Sequence, residues 1–183
     1  MGKFQFLLLD AGPTIKLFQL GIWDKFVERY DVTITSTVAA EAKWASKEYT
    51  DIKIDLDAYR DRVKIIEQET SVASTFYTKL PTAYKDDVEV QDGEVHTLAF
   101  LCGSPKDWLL CSADHAVFRI LGLIGKGEQG ISLEEALKQI GLQPAISWDK
   151  ITPRDEDWKY TKKFREQWTR KRQSDFVQGQ GLV

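Results

Sequence analysis

The sequence predicts an α/β fold of three layers, a central parallel sheet flanked by helices, followed by a C-terminal basic helical arm. Short apolar or β-branched runs alternate with stretches of helical periodicity, the order of strand and crossover helix that builds a parallel sheet. Several runs stop at an acid or hydroxyl residue suited to start the next helix. Past residue 149 the composition turns basic and aromatic.

Phe4 to Leu9 reads as a buried strand that breaks at Asp10, and Ala11-Gly12-Pro13 leads into a helix expected to run to about Tyr30; proline is tolerated in a first turn. Asp31 to Thr35 alternates β-branched residues as a second strand does, and Ser36 or Thr37 is placed to cap a helix expected over Val38 to Lys47. Thr50 to Arg62 carries Ile52, Leu56 and Tyr59 at helical spacing, and Val63 to Ile66 is the third strand. A helix from Ser71 to Leu80, an acidic connector from Asp86 to Asp92 and a helix from Gly93 to Cys102 come next. Trp108 to Ser112 is a fourth strand ending at Ala113-Asp114, helical pattern resumes from His115 to Leu121, and Ser132 with Glu135 has capping-box spacing. In the arm, Tyr160, Phe164 and Trp168 recur every four residues among Lys and Arg, an aromatic stripe that must pack; the last residues, 178–183, are expected to fray.

The 183 residues suit one domain, read as residues 1–150, with the arm as residues 151–183. Residues 1–150 hold 17 Lys and Arg against 23 Asp and Glu, whereas 151–183 hold 8 against 5. Such a split predicts either an anionic partner for the arm or an arm docked on its own acidic body. No apolar run approaches the roughly 20 residues of a membrane helix, and a cytoplasmic protein is expected. Cys102 and Cys111 lack metal-like spacing and read as buried free thiols.

Several chemistries are excluded by missing motifs: there is no serine nucleophile elbow, phosphate loop, dinucleotide fingerprint or zinc-protease helix. Gly125-Lys126-Gly127 reads as an ordinary turn. What remains is a set of acids at element ends. Asp10 and Asp114 terminate strands, Glu41 lies in the helix after the second strand, and Glu94 opens a later helix. In a parallel sheet these positions face one crevice. Four carboxylates there repel one another unless a hard cation neutralises them, and Mg²⁺ or Mn²⁺ suits all-oxygen ligands and activates water against a phosphodiester. The competing reading of each acid alone is a helix cap or solvated end.

Phe6 to Leu17, with its strand, Asp10, small residues and apolar helix, resembles the opening of PIN-domain proteins. Thr35 to Ala42 is similar to that family's second acidic motif, Asp92 to Ala99 to the Gly-Glu helix start of one branch, and Leu109 to Asp114 to its last motif, with Ser112 two residues before the acid. The ordered set covers about residues 3–142. The resemblance implies a metal-dependent nuclease fold, often a ribonuclease and often the toxin of a toxin-antitoxin pair. It assigns Asp10, Glu41, Glu94 and Asp114 as metal-binding and catalytic acids, with Ser112 in support and Asp92 assisting or replacing Glu94. Gly12 and Val117 depart from the family, which commonly has a polar residue and a further acid there. A catalytically inactive PIN-like module for RNA or protein binding is therefore the alternative.

The leading expectation is thus a Mg²⁺- or Mn²⁺-dependent endoribonuclease, in which Asp10 and Asp114 hold the metal and Glu41 and Glu94 complete the site or orient water. RNA, an antitoxin protein and a second copy of the chain are the partners this reading admits. Lys47, Lys162, Lys163, Arg165, Arg170, Lys171 and Arg172 are the candidate RNA contacts, a solvated basic face being the competing reading. His96 and His115 read as paired imidazoles, and Trp23 and Trp44 as core or interface residues.

Overall fold

The computed structural model describes residues 4–47, 50–85, 88–89, 92–142 and 156–178. The boundary expected at residue 150 and the tail beyond Gln178 lie outside them. The described chain is a three-layer α/β fold. Strand β1 (Phe4–Leu9) is followed by helices α1 (Ala11–Gln19) and α2 (Trp23–Val27), strand β2 (Tyr30–Thr35) and helix α3 (Ser36–Glu41). Strands β3 (Trp44–Lys47) and β4 (Thr50–Lys53) come next, then β5 (Val63–Ile66) and helices α4 (Thr70–Lys79), α5 (Thr82–Lys85) and α6 (Gly93–Gly103). Strand β6 (Leu109–Cys111), helix α7 (His115–Leu123), the short β7 (Gly130–Ile131), α8 (Leu133–Gln139) and α9 (Lys162–Gln178) complete the described chain.

The main sheet has the order β5-β2-β1-β6-β7, and every pairing in it is parallel. The order reverses at β1, whose neighbours are β2 on one side and β6 on the other. Alternation along β1 sends its side chains to two cores. Leu7 and Leu9 pack with Leu17, Phe26, Val32 and Leu137 on one face, while Leu8 packs with Leu98, Phe118 and Phe164 on the other. Covering both faces of a sheet with helices explains why the central strands β1 and β6 carry the continuous apolar runs Phe6–Leu9 and Leu109–Cys111. Among the described residues no helix is long and apolar enough to cross a membrane.

Local chemistry starts and stops the elements. The Asp10 side chain caps α1 through the Ala11 N–H, the Thr35 hydroxyl caps α3 through Val38 N–H, and Ser132 and Glu135 form a reciprocal capping box on α8. The helix expected to run unbroken to Tyr30 stops at Gln19 because Gly21 takes φ +66, and a second short helix restarts at Trp23. The helix expected over Val38 to Lys47 ends at Glu41. Ala42 leaves helical geometry at ψ +59, and residues 44–47 pair antiparallel with residues 50–53, Ala45 facing Ile52. Helix propensity loses there to strand pairing that buries Ala45. For the same reason Thr50 to Arg62 is a strand plus a single tight turn at Leu56–Tyr59, not a helix.

The remaining corrections concern exposure. Trp44, expected in a core or interface, is 58% exposed on β3 and so is not in the core, which leaves the interface half of that reading open, whereas Trp23 is buried as expected. Cys102 is exposed on α6; Cys111 is buried, and both thiols are free. The arm packs: α9 lies along α7, Phe164 enters the core that contains Leu8, and Tyr160, in the turn before α9, enters the other.

Candidate functional site

Asp10 and Asp114 stand just past the C-terminal ends of β1 and β6, the adjacent strands between which the sheet order reverses. Open parallel sheets present their ligand crevice at such a place, because the two crossover connections leave in opposite directions. Leu9 is in register with Cys111, and the Asp10 N–H donates to the Cys111 carbonyl at 3.1 Å. Asp10 is 3% exposed. Its Oδ1 accepts from the Ala11 N–H at 2.8 Å and its Oδ2 from the Ser112 hydroxyl at 2.6 Å. Ser112 Oγ in turn accepts from the Asp114 N–H at 3.0 Å, and Asp114 Oδ1 from the Ala116 N–H at 2.6 Å. Both acids are therefore held by the chain itself, as caps of α1 and α7.

The two glutamates reach the same edge from other elements. Glu41 is the last residue of α3, which directly follows β2, and its Oε1 accepts from the Gly93 N–H at 2.9 Å. A side chain at 93 would displace Glu41, since an added Cβ lies 2.8 Å from Glu41 Oε2 and 3.0 Å from Val38 Cγ2. The bond draws the start of α6 against the end of α3. Glu94 sits in the first turn of α6.

The carboxylates feel one another. Burial lifts Asp10 from 3.8 to about 6; the Ser112 and Ala11 hydrogen bonds oppose that rise, and the charges of Asp114 and Glu41 add to it. Burial lifts Glu94 from 4.5 to about 8, with Asp10, Asp114 and Glu41 all contributing repulsion. Glu41 is also raised by burial, against the pull of the Gly93 N–H, with Asp92 raising it and His96 lowering it. Mutual repulsion among acids on four elements is a direct sign of their proximity.

The donor set is all oxygen and strongly acidic, the chemistry a small hard cation prefers. Among the described residues, however, no three His, Cys, Asp or Glu side chains are grouped as ligands of one ion. The acids are near enough to repel and too spread to chelate as they stand. Asp92, the possible stand-in for Glu94, spends its Oδ2 on the Glu89 N–H at 2.6 Å. His96 is buried beside Glu41 on α6, and its Nδ1 has no hydrogen-bond partner among the described residues. His115 Nδ1 lies 3.5 Å from Asp114 Oδ1, and its ring meets Trp168 with centroids 4.9 Å apart. Val117, where the resembling family has an acid, is packed in the core.

The arm borders this edge. The Tyr160 hydroxyl donates a long 3.4 Å bond to the Gly12 carbonyl, and Lys16 pairs with Asp157. Arg165, expected to be solvated for RNA, is instead committed to Glu135 through paired bonds of 2.8 and 2.9 Å. That fork holds Glu135 below its ordinary value despite the opposing effect of burial. Lys162 and Arg170 lie 3.7 and 3.6 Å from Glu166, and Lys163 is exposed. Lys171 and Arg172 fall on α9 and Lys47 on β3, with side chains outside the described set.

Sequence reasoning missed the role of the Gly93 N–H in fixing Glu41 and the association of Tyr160 with Gly12, because both contacts join residues far apart in the chain. No protein-family model matches the sequence, and neither the curated proteins nor the solved structures contain a match to it.

Proposed function

We propose that the chain is a PIN-like ribonuclease that hydrolyses RNA phosphodiester bonds with Mg²⁺ or Mn²⁺. The observation that carries this reading is the placement of Asp10 and Asp114, joined through Ser112, at the reversal point of a parallel sheet, with Glu41 tied by Gly93 to the helix start that bears Glu94. Asp10 and Glu94 are pushed up by burial and by neighbouring carboxylate charge, and Glu41 by burial first, an electrostatic cost that a divalent cation relieves. Asp10 and Asp114 would hold the ion, both from rigid strand ends, with side-chain rotation at Glu41 and Glu94 completing the oxygen set. Bound there, the ion would supply an activated water and charge neutralisation at the phosphate. Ser112 keeps Asp10 oriented, and the Gly93 N–H keeps Glu41 oriented. Glu94, in the first turn of α6, would join Glu41 in completing the site or orienting the attacking water.

A titration of Mg²⁺ and Mn²⁺ against cleavage of single-stranded and structured RNA, with Asp10→Asn alongside, tests the proposal. Cleavage that depends on the metal and vanishes in the variant supports it. The second reading, an inactive PIN-like binding module, is favoured by the use of Asp10 and Asp114 as helix caps, a role that needs no metal. Absence of cleavage together with metal-independent RNA binding selects that reading.

A further inference from the structure

The β3-β4 hairpin, which the sequence pattern concealed, carries an open cavity of about 410 Å³ lined by Ala39, Lys43, Trp44, Lys53, Ile54 and Leu56 among others. Its volume is at the small end of ligand pockets, roughly 300–1,000 Å³. Trp44 and Lys53 are direct cross-strand partners, so their side chains rise from one face of the hairpin. The indole is 58% exposed, an unusual state for the largest apolar side chain in a chain that buries Trp23 and Trp108. Neither the Lys43 nor the Lys53 ammonium has a carboxylate partner among the described residues. Two acids also line the cavity, of which Asp57 is already paired with Arg60 at 2.7 Å and Asp55 is exposed.

We infer that this cavity is a subsite for one nucleotide of single-stranded RNA, its base stacked on Trp44 and its phosphates on Lys43 and Lys53. A planar aromatic face flanked by unpaired ammonium groups is the combination that holds unpaired nucleotides, since every base has a π-face and every linkage a charge. Asp55 offers an acceptor to a base amino group or ribose hydroxyl. The cavity adjoins the acidic edge: Ala39 shares α3 with Glu41, and the Lys43 N–H bonds to the Glu41 carbonyl at 2.9 Å. A cluster of carboxylates repels RNA, so attraction must come from a neighbouring surface such as this one. The proposed hydrolysis serves here only to say where the strand leads; occupancy of the cavity is independent of metal.

The test is fluorescence anisotropy of short labelled oligoadenylates, as RNA and as DNA, titrated at low salt with the full chain in excess chelator. Trp44→Ala should weaken RNA binding by about tenfold while Trp44→Phe, which keeps a stacking face, stays close to wild type. Lys43→Ala with Lys53→Ala should weaken it further and lower the slope of log affinity against log salt by about 1.4, two phosphates of a single strand. RNA should bind at least as tightly as DNA. Because Trp44 and both lysines are exposed, unchanged thermal melting is expected for each variant. Equal RNA affinity in wild type and Trp44→Ala overturns the subsite, as does a loss of affinity that sedimentation traces to a lost dimer through Trp44, or one confined to DNA. Weakened binding in Trp44→Ala supports the subsite even where no metal yields cleavage, so the two proposals fail separately.

Discussion

The Ser112 hydroxyl donates to Asp10 Oδ2 at 2.6 Å across the join between β6 and β1. Ser112 Oγ also accepts from the Asp114 N–H, so one small side chain orients one strand-end acid and anchors the backbone of the other. The bond lowers the Asp10 value against the rise imposed by burial. Ser112→Ala should therefore push Asp10 higher still, and leave a buried oxygen and the Asp114 N–H without their partner. A loss of about 1–3 kcal/mol is expected from urea unfolding at neutral pH. An unchanged midpoint would mean that this hydroxyl does not hold the edge together.

Asp10→Asn and Asp114→Asn should each reduce metal-dependent RNA cleavage by about a hundredfold or more, since amides bind hard cations poorly and the developing phosphate charge is left unneutralised. Asp10→Asn should also raise the melting temperature in chelator, because an ionised group no longer has to be buried beside Asp114 and Glu41. Retained cleavage in both variants removes the acids from the chemistry.

Stability of the metal-free protein should depend on pH in a direction opposite to that of most acid-paired proteins. Asp10 and Glu94 keep their protons to about 6 and about 8 in the folded chain, against ordinary values of 3.8 and 4.5. Between those limits the unfolded chain has lost protons that the folded chain still binds, so each rise in pH favours unfolding. The contribution of these two groups is fully present below about pH 4 and gone above about pH 8. Glu94→Gln should flatten the upper part of that window, from about 6 to about 8. Denaturant midpoints measured across it in chelator, for wild type and Glu94→Gln, decide the matter; parallel curves for the two proteins refute the placement of Glu94 among the other acids.

The parts of this arrangement that were legible in the sequence are those set by neighbours in the chain. Asp10 at the end of an apolar run, the Ser132 and Glu135 pair and the β-branched strand expected over Asp31–Thr35 each announce a local event, and each forms there, the strand starting one residue earlier at Tyr30. The illegible parts are made by contacts across the fold. Residues 42–47 and 50–53 have a helix-compatible composition and instead pair as antiparallel strands, with Ala45 opposite Ile52 and buried. Strand β7 is two residues long and begins with Gly130, where any Cβ would press within 3.1–3.3 Å of Leu121 and Phe118. No propensity scale finds a strand whose first requirement is a missing side chain. The acids at the sheet edge and their crowding could be expected from their places at element ends, but the bond from Gly93 to Glu41 exists only in the folded chain.

Gly93→Ala separates site from scaffold. The new methyl would meet Glu41 Oε2 at 2.8 Å and Val38 Cγ2 at 3.0 Å. The carboxylate is the far end of a flexible, partly exposed side chain, so it can swing away, and alanine is a better helix former than glycine in α6. Melting should change little. Glu41 should nevertheless lose the Gly93 N–H and its fixed direction, and metal-dependent cleavage should fall by about tenfold or more, as for other residues that orient a metal's ligands. A large drop in melting temperature without loss of specific activity would show that the glycine serves packing alone.

The arm provides the final prediction, because its aromatic residues and its charges have different fates. Phe164 is buried against Phe118 and Trp158 in the core shared with Leu8, and Arg165 beside it is locked to Glu135 by two bonds. Truncating Phe164 to alanine removes a ring from a packed interior, with an expected cost of about 3–5 kcal/mol. Arg165→Ala leaves Glu135 half-paired at the start of α8, though its capping contacts with Ser132 persist; a smaller loss of about 1–3 kcal/mol is expected. Lys163 and Arg170 are exposed, and replacing both with alanine should leave the melting temperature unchanged while lowering RNA affinity in a salt-dependent way. If α9 served only to bind RNA, Phe164→Ala would melt like wild type; if it served only as a structural clasp, the Lys163 and Arg170 double variant would bind RNA like wild type at every salt concentration.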